Sequence, residues 1–155
     1  MATKEQLVNA GVWSAQANAM DLGRIFYVDV ACTATELDAS TRTGKVNVYT
    51  PTISTEQYKV RDIVLVGGGT SFGAGGNCLL ELKDGTTVYT TVANADLESA
   101  PTASLRWGDT KVPFLTSKSA TATAAGAQIY FQYQTAGTAH TTGSITFTVG
   151  LERVV

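Results

Sequence analysis

The dipeptide Asp84-Gly85 constrains the fold more than any other feature of the sequence. It stands between two β-prone runs, residues 78–83 and 86–92, and an Asp-Gly pair in that position is the strongest short-range signal for a β-hairpin. The type I′ turn of such a hairpin needs positive φ at both central residues. A third apolar run, residues 60–66, leads into the hairpin through a glycine-rich loop at 67–76. The stretch 58–92 therefore predicts three strands and an all-β fold.

Other stretches alternate apolar and polar side chains with the period of two that marks a half-buried strand. They are residues 24–32, 45–49, 127–134 and 144–155, the last with the cleanest alternation. A brief edge strand is predicted at 112–115, where Pro113 cannot donate to a ladder. About eight short strands without a βαβ rhythm predict an antiparallel β-sandwich. The long irregular loops, and the lack of the immunoglobulin Cys…Trp…Cys spacing, favour a jelly roll.

The first 22 residues lack this alternation. Residues 3–6 have the form of a capping box, and Gly11 can end a short helix. Four apolar residues in this stretch need a partner surface: Leu7, Val8, Val12 and Trp13. We therefore predict an N-terminal arm at 1–22 with one or two helical turns at most, followed by a β-sandwich domain at 23–155. A helix packed on the end of its own domain is the alternative.

Composition argues against some classes of partner. The formal net charge is −2, and the eleven basic residues are scattered, whereas phosphate binding needs clustered Lys and Arg. No stretch of 18 apolar residues is present to span a membrane. Charged residues make up 15% of the chain, against about 25% in a typical domain. We expect neither a nucleic-acid nor a membrane partner; the low charge suits large surfaces facing other protein, or a Thr-rich solvent face.

No pattern in the sequence predicts catalysis. The glycines at 67–76 have no Lys after them and precede a strand, so they do not form a phosphate loop. The single histidine, His140, lies in a Gly/Thr loop where solvation is expected, and no G-x-S-x-G elbow is present. His140 with the distant Cys32 and Cys78 makes no zinc set, and each cysteine has the context of a small buried hydrophobe. We expect no enzyme activity, no cofactor and no metal.

Two segments resemble a known group of proteins. They are YKVRDIVLVGGGTSFGAGGNCLLELKDGTTVYTTV at 58–92 and AGAQIYFQYQTAGTAHTTGSITFTVGLERVV at 125–155. Their pattern of glycine-rich loop, Asp-Gly hairpin, Gly/Thr loop and final alternating strand is similar to small β-rich proteins encoded beside the head genes of tailed bacteriophages. Members of that group with a known role are capsid decoration, or cement, proteins.

The resemblance implies a jelly-roll homotrimer on the outer surface of an icosahedral phage head, made in the host cytoplasm. Its partners would be the major capsid protein and its own copies. We expect the shell contacts in the arm, at Leu7, Val8, Val12 and Trp13, and at Phe72, which is predicted to protrude from the glycine-rich loop.

A carbohydrate-binding β-sandwich module, with a host-receptor or adhesion role, is the alternative function. Aromatic side chains form sugar platforms in many such modules. Most aromatic residues here fall in predicted strands, where burial is the usual explanation. Trp107, in a predicted turn, is the candidate glycan contact.

Overall fold

The computed structural model describes residues 24–73, 76–98 and 121–154. This part of the chain forms seven strands and one short helix, namely β1 (Ile25–Thr33), β2 (Val46–Tyr49), β3 (Tyr58–Thr70), β4 (Leu80–Lys83), β5 (Val88–Val92), α1 (Asn94–Glu98), β6 (Ile129–Tyr133) and β7 (Ser144–Arg153). Within these ranges no helix is long and apolar enough to cross a membrane. The arm predicted at 1–22 and the edge strand predicted at 112–115 lie outside the described residues.

The strands form two antiparallel sheets. The first has the order β1-β7-β3 and the second the order β2-β6-β4-β5. The chain changes sheet between β1 and β2, β2 and β3, β3 and β4, and β6 and β7, as it does in a jelly roll. The prediction of an all-β antiparallel sandwich is confirmed, and the strand order is that of a jelly roll with three described strands in its first sheet.

In the described part of the chain, the edge of β3 that is not paired with β7 is partly covered by the segment that leads into β6. Ala122 forms an isolated antiparallel bridge with Lys59. The Thr123 amide donates to the Tyr58 carbonyl at 2.7 Å, and the Tyr58 amide donates to the Thr123 hydroxyl at 3.0 Å. These bonds satisfy backbone groups that an open sheet edge would leave to solvent.

The core lies between the two sheets and is built from alternate residues of the strands. On β7 the buried residues alternate with partly buried Ser and Thr, as its period-two pattern predicts. The ring of Phe147 meets Phe131 of the second sheet at a centroid distance of 4.7 Å. Cys32 and Cys78 are free thiols with no exposed surface, so the expectation that they pack as small hydrophobes is confirmed. Burial raises the pKa of both thiols, and Glu36 raises that of Cys32 further.

The glycine-rich loop is shorter than predicted. β3 continues to Thr70, so the first three glycines of the predicted loop, at 67–69, belong to the strand. The register of β3 against β7 shifts between Val60 and Asp62, between Leu65 and Gly67, and between Gly67 and Thr70. Extra residues in one strand of an antiparallel pair are β-bulges, which glycine accommodates. The first part of the predicted loop, residues 67–70, is therefore an irregular end of β3.

The hairpin between β4 and β5 is confirmed, but its predicted turn type is wrong. Lys83 pairs with Val88, which leaves a four-residue loop, and Gly85 has φ +101° while Asp84 does not have positive φ. The Asp84 carboxylate accepts hydrogen bonds from the Thr86 and Thr87 amides at 3.1 and 2.8 Å. This side-chain turn replaces the backbone turn that the Asp-Gly pair predicts.

Candidate functional site

Of the residues predicted to make shell contacts, Phe72 is described, and it is not on the surface. Its side chain is 1% exposed, and its ring lies 6.4 Å from that of Tyr133 and 5.5 Å from that of His140. Its amide donates to the Leu97 carbonyl at 3.0 Å. The prediction that Phe72 protrudes is wrong, because the chain after β3 turns back against α1 and the ring fills the core. Leu7, Val8, Val12, Trp13 and Trp107 lie outside the described residues.

His140 is also buried, contrary to the expectation of a solvated loop histidine. Its side chain has no exposed surface, and its Nε2 lies 3.3 Å from Oε1 of Glu98. Its Nδ1 has no hydrogen-bond partner among the described residues. A Cβ on Gly76 would lie 2.5 Å from Nε2, so the glycine makes room for the ring. Nor do the described ranges hold a group of three or more His, Cys, Asp or Glu side chains placed for a metal ion.

The end of the sandwich at which β1 begins, called the arm end below, carries exposed apolar side chains. Ile25 and Tyr27 at the start of β1 are 45% and 55% exposed, and Ile53 in the loop between β2 and β3 is 44% exposed. A bond from the Val154 amide to the Gln57 carbonyl, at 2.9 Å, holds that loop beside the end of β7. The predicted arm therefore joins the domain next to an exposed apolar surface.

Tyr27 is held in place across the outer face of the first sheet. Its ring carbons lie 3.0 and 3.4 Å from the position that a Cβ on Gly150 would occupy. Its hydroxyl hydrogen-bonds the Asp62 carboxyl group, whose pKa is raised by burial in spite of that bond. The exposed ring is thus a fixed feature of the surface.

Beside these residues, three aromatic rings line a cavity of about 440 Å³. Phe26, Tyr49 and Tyr58 pack edge to face, with centroids 4.9 to 5.9 Å apart. The Tyr58 hydroxyl donates to Glu56, which pairs with Arg153 at 3.3 Å. Burial, and then the neighbouring Tyr49 and Glu56, raise the pKa of Tyr58. An ion pair of buried Glu56 with partly buried Arg153, beside an aromatic wall, gives this cavity a rigid base.

Asp84 ties the β4–β5 turn to the rest of the arm end. Besides the two turn amides, its carboxylate accepts from the Tyr89 hydroxyl at 2.9 Å and from the Ala124 amide at 3.1 Å. Burial by itself would raise the pKa of Asp84, but the bonds from Thr87, Ala124, Tyr89 and Thr86 together hold it below its ordinary value. Because residue 124 follows the segment bonded to β3, this carboxylate connects the two sheets.

A second cavity, called the polar groove below, lies on the outer face of the second sheet and has a volume of about 640 Å³. Its floor is formed by Glu81 and Lys83 of β4, Val88 of β5 and Gln132 of β6. Its wall is formed by residues 40–43 in the loop between β1 and β2. With Thr135, which also lines it, the groove combines an amide, a carboxylate, an ammonium, a guanidinium and four Ser and Thr hydroxyl groups.

The wall is fixed by its own hydrogen bonds. Asp38 accepts from the Ser40 and Thr41 hydroxyls at 2.7 and 2.6 Å, and from their amides at 3.2 and 3.3 Å. These bonds lower the pKa of Asp38 to about 2. Asp38 and Arg42 have φ of +49° and +57°, a region that non-glycine residues rarely adopt. The Arg42 amide donates to the Asp38 carbonyl at 2.7 Å, which closes the turn.

The wall is also bonded to the floor. The Arg42 guanidinium donates to the Thr135 carbonyl, and the Gln132 amide nitrogen donates to the Arg42 carbonyl at 3.2 Å. On the floor, Lys83 Nζ lies 2.9 Å from Oε2 of Glu81, and these side chains are 21% and 17% exposed. Arg42 has no carboxylate partner within the described ranges, and it lines the groove.

The polar groove runs along the outer face of the second sheet, from Lys83 and Val88 beside the β4–β5 turn to residues 40–43 and Thr135 at the end opposite the arm end. β6 begins at Ile129, which pairs with Tyr49 beside the aromatic cavity, and it ends at Tyr133, just before Thr135 of the groove. The wall likewise follows the end of β1, a nine-residue strand that spans about 26 Å from Ile25. Ile25 and Tyr27 lie on the outer face of the first sheet and the groove lies on the outer face of the second, so the two surfaces are on different sides of the sandwich.

The sequence did not indicate this groove, because its residues come from four separate stretches of the chain. The local signal was the polar run at 38–43, whose Asp, Ser and Thr side chains favour hydrogen-bonded turns. That signal predicts a turn but not what the turn packs against.

No family model matches the chain, and no curated protein sequence matches it. Among solved structures, the chain is similar to one described as the capsid asymmetric unit of cyanophage Pam1. The TM-score is 0.48 and the identity is 12%, over 84% of this chain and 86% of that one. A likeness at this level identifies neither a family nor a function for this chain.

Proposed function

We propose that this protein is a virion structural protein that binds the outer surface of an icosahedral phage head and stabilises it as a trimeric cement protein. The observation that carries the proposal is the resemblance of residues 58–92 and 125–155 to the small head-associated β proteins of tailed phages. The jelly-roll strand order agrees with what that resemblance implies. Its partners are then the major capsid protein and its own copies, and it performs no catalytic step.

The arm end is the surface that faces the shell in this proposal. Exposed apolar side chains on a soluble domain mark contact surfaces when they lie together, and Ile25, Tyr27 and Ile53 lie at the end where the arm joins. The arm supplies further apolar side chains to the same contact, at Leu7, Val8, Val12 and Trp13. Shell binding therefore combines a fixed surface with a chain segment that extends from it.

Stabilisation follows from mass action. A protein that binds the assembled shell but not loose subunits stabilises the shell by about 2.7 kcal/mol per site when its free concentration is 100 times its Kd. Three arms per trimer make the second and third contacts intramolecular, so weak individual contacts add up to tight attachment.

The test uses shells assembled from the major capsid protein of the phage whose genome encodes this chain. The full-length protein is expected to cosediment with the shells, to raise their rupture temperature, and to give a trimer by native mass spectrometry. Deletion of residues 1–20 is expected to leave a folded domain that no longer attaches. Unfolding of the truncated protein would assign the arm to the core instead.

A pair of single substitutions tests the shell-facing surface itself. Ile53→Asp at the arm end is expected to weaken shell binding at least about tenfold, because the contact proposed with the shell would then have to bury a charge in place of the exposed apolar side chain. Thr141→Asp, at an exposed loop position at the opposite end, is the matched control and is expected to bind normally. A monomer at micromolar concentration that leaves shell stability unchanged would refute the proposal.

A further inference from the structure

We propose that the polar groove is a binding site for a saccharide, held through its hydroxyl groups by Arg42, Glu81, Lys83 and Gln132. The volume of about 640 Å³ is within the usual range for small-molecule sites and accommodates one or two sugar rings. This activity is separate from shell attachment, and it uses a surface that the cement role leaves free.

The functional groups of the groove match those of a sugar. A sugar hydroxyl both donates and accepts, so it is bound best where donors and acceptors lie side by side. Glu81 is an acceptor, Arg42 and Lys83 are donors, and Gln132 offers both, next to the hydroxyls of Ser40, Thr41 and Thr43. Glu81 and Lys83 are 2.9 Å apart, a spacing at which neighbouring hydroxyls of one ring can bond to both.

Other ligand classes fit less well. A phosphate group would meet the carboxylate of Glu81 on the floor beside the two cations. An extended peptide cannot add to the floor strands, because β4 and β6 are inner strands whose backbone groups are paired on both sides. Among the described lining residues an apolar ligand would find one accessible apolar side chain, Val88, since Tyr133 is only 2% exposed.

The wall has a geometry that a plain connection between β1 and β2 does not need. Two non-glycine residues, Asp38 and Arg42, are held at positive φ, and such strain persists only where surrounding bonds impose it. Here those bonds hold the guanidinium of Arg42 over the floor before any ligand arrives. Preorganised groups lose less freedom on binding, which favours a ligand made of weak hydrogen bonds.

The wall of the groove lies at the end opposite the arm end, so, on the proposed function, a trimer attached by its arm end presents the wall end of the groove outwards from the head. Only this outward presentation rests on the proposed function; binding of the sugar does not. Because none of the described residues that line the groove presents an exposed aromatic ring, we expect a Kd of about 1 mM for a single site. Several copies on one particle would raise the effective affinity for a glycan-coated surface.

The experiment uses the free full-length protein in solution. A glycan array selects the sugars, and the amide NMR spectrum of the ¹⁵N-labelled protein is then recorded with glucose, galactose, N-acetylglucosamine and N-acetylneuraminic acid, each to about 20 mM. Saturable shifts confined to residues 40–43 and to Glu81, Lys83 and Gln132 are expected for at least one of them. Absence of shifts with all four sugars and the array hits, or shifts that map elsewhere, would overturn the inference.

Matched variants separate this inference from the cement proposal. Gln132→Ala is expected to weaken sugar binding at least about tenfold and to leave shell binding unchanged. Gln128→Ala, on the same segment but bonded to Asn47 outside the groove, should change neither. Ile53→Asp should lose shell binding and keep the sugar shifts. Unchanged sugar binding by Gln132→Ala would refute the assignment of the sugar site to the polar groove. A variant that loses shell binding but keeps sugar binding bears only on the cement role.

Discussion

Replacement of Asp84 by Asn tests whether one carboxylate holds the two sheets together at the arm end. Asn has the size of Asp and keeps one acceptor oxygen, which can still receive the Thr86 and Thr87 amides. Its NH₂ group must then face the Tyr89 hydroxyl and the Ala124 amide. The Tyr89 hydroxyl can rotate and accept a hydrogen bond from this NH₂ group, but the Ala124 amide can only donate. The bond from Ala124 is therefore lost, and the remaining hydrogen bonds no longer have a charged acceptor.

The magnitude follows from those bonds. Hydrogen bonds to a charged group contribute about 1.5–3 kcal/mol each, against about 0.5–1.5 kcal/mol for neutral ones. Losing one bond and the charge assistance of its neighbours is therefore expected to lower the free energy of unfolding by about 2–3 kcal/mol. For a chain of 155 residues, this corresponds to a fall in Tm of about 4–12 °C.

The pH dependence of the stability difference between the wild type and Asp84→Asn is an independent test. Because the folded-state pKa of Asp84 lies below its unfolded value, its contribution is fully present above the unfolded pKa. That contribution is lost as the pH falls through the lower, folded pKa. The stability difference between the wild type and Asp84→Asn should therefore be constant from pH 5 to 7 and shrink below about pH 4.

The assay is urea unfolding followed by circular dichroism, repeated across this pH range. Asp29→Asn is the control, since Asp29 is exposed and accepts one bond, from the Thr148 hydroxyl. The control is expected to change the free energy of unfolding by no more than about 0.5–1 kcal/mol. The role assigned to the Asp84 carboxylate would be refuted if both variants lost the same free energy of unfolding. It would also be refuted if the stability difference between the wild type and Asp84→Asn grew as the pH fell.

Three further predictions concern the core. Phe72→Ala should lower the free energy of unfolding by about 3–5 kcal/mol in thermal melts, because a buried ring is removed. A change under about 1 kcal/mol would contradict the burial of Phe72. Gly143→Ala should cost more than about 2 kcal/mol, because its φ is +119° and an added Cβ would lie 2.6 Å from the Phe72 backbone; a neutral result in the same melts would contradict that packing. Cys32 and Cys78 should resist a thiol reagent at pH 8 until urea unfolds the chain, since burial raises both pKa values; labelling of the native protein, read by mass spectrometry, would show that they are accessible.

The sequence identified the strands because their signal is local. The period-two pattern of β7, and the Asp-Gly pair between β4 and β5, reflect the geometry of a pleated strand and of a tight turn. Neither depends on what lies opposite in the fold. For the same reason the all-β class could be predicted while the turn type could not, because Asp84 bonds to residue 124, forty positions away.

Only the tertiary structure decided which loop residues are inside. Phe72 and His140 belong to loops that the sequence predicts to be exposed, yet their rings pack against each other and against Tyr133. Glycine makes this possible, since side chains at Gly76 and Gly143 would overlap the two rings. Burial depends on such partners from distant segments, and no local pattern encodes them.

The polar groove is the clearest case of the same distinction. The run at 38–43 shows in sequence only that a hydrogen-bonded turn follows β1, and Glu81, Lys83 and Gln132 read as the solvent face of strands. The fold brings these stretches together, because the turn closes onto the sheet through Arg42. Local backbone preferences determined the strands, whereas long-range packing between the loop and the sheet decided where a site could form.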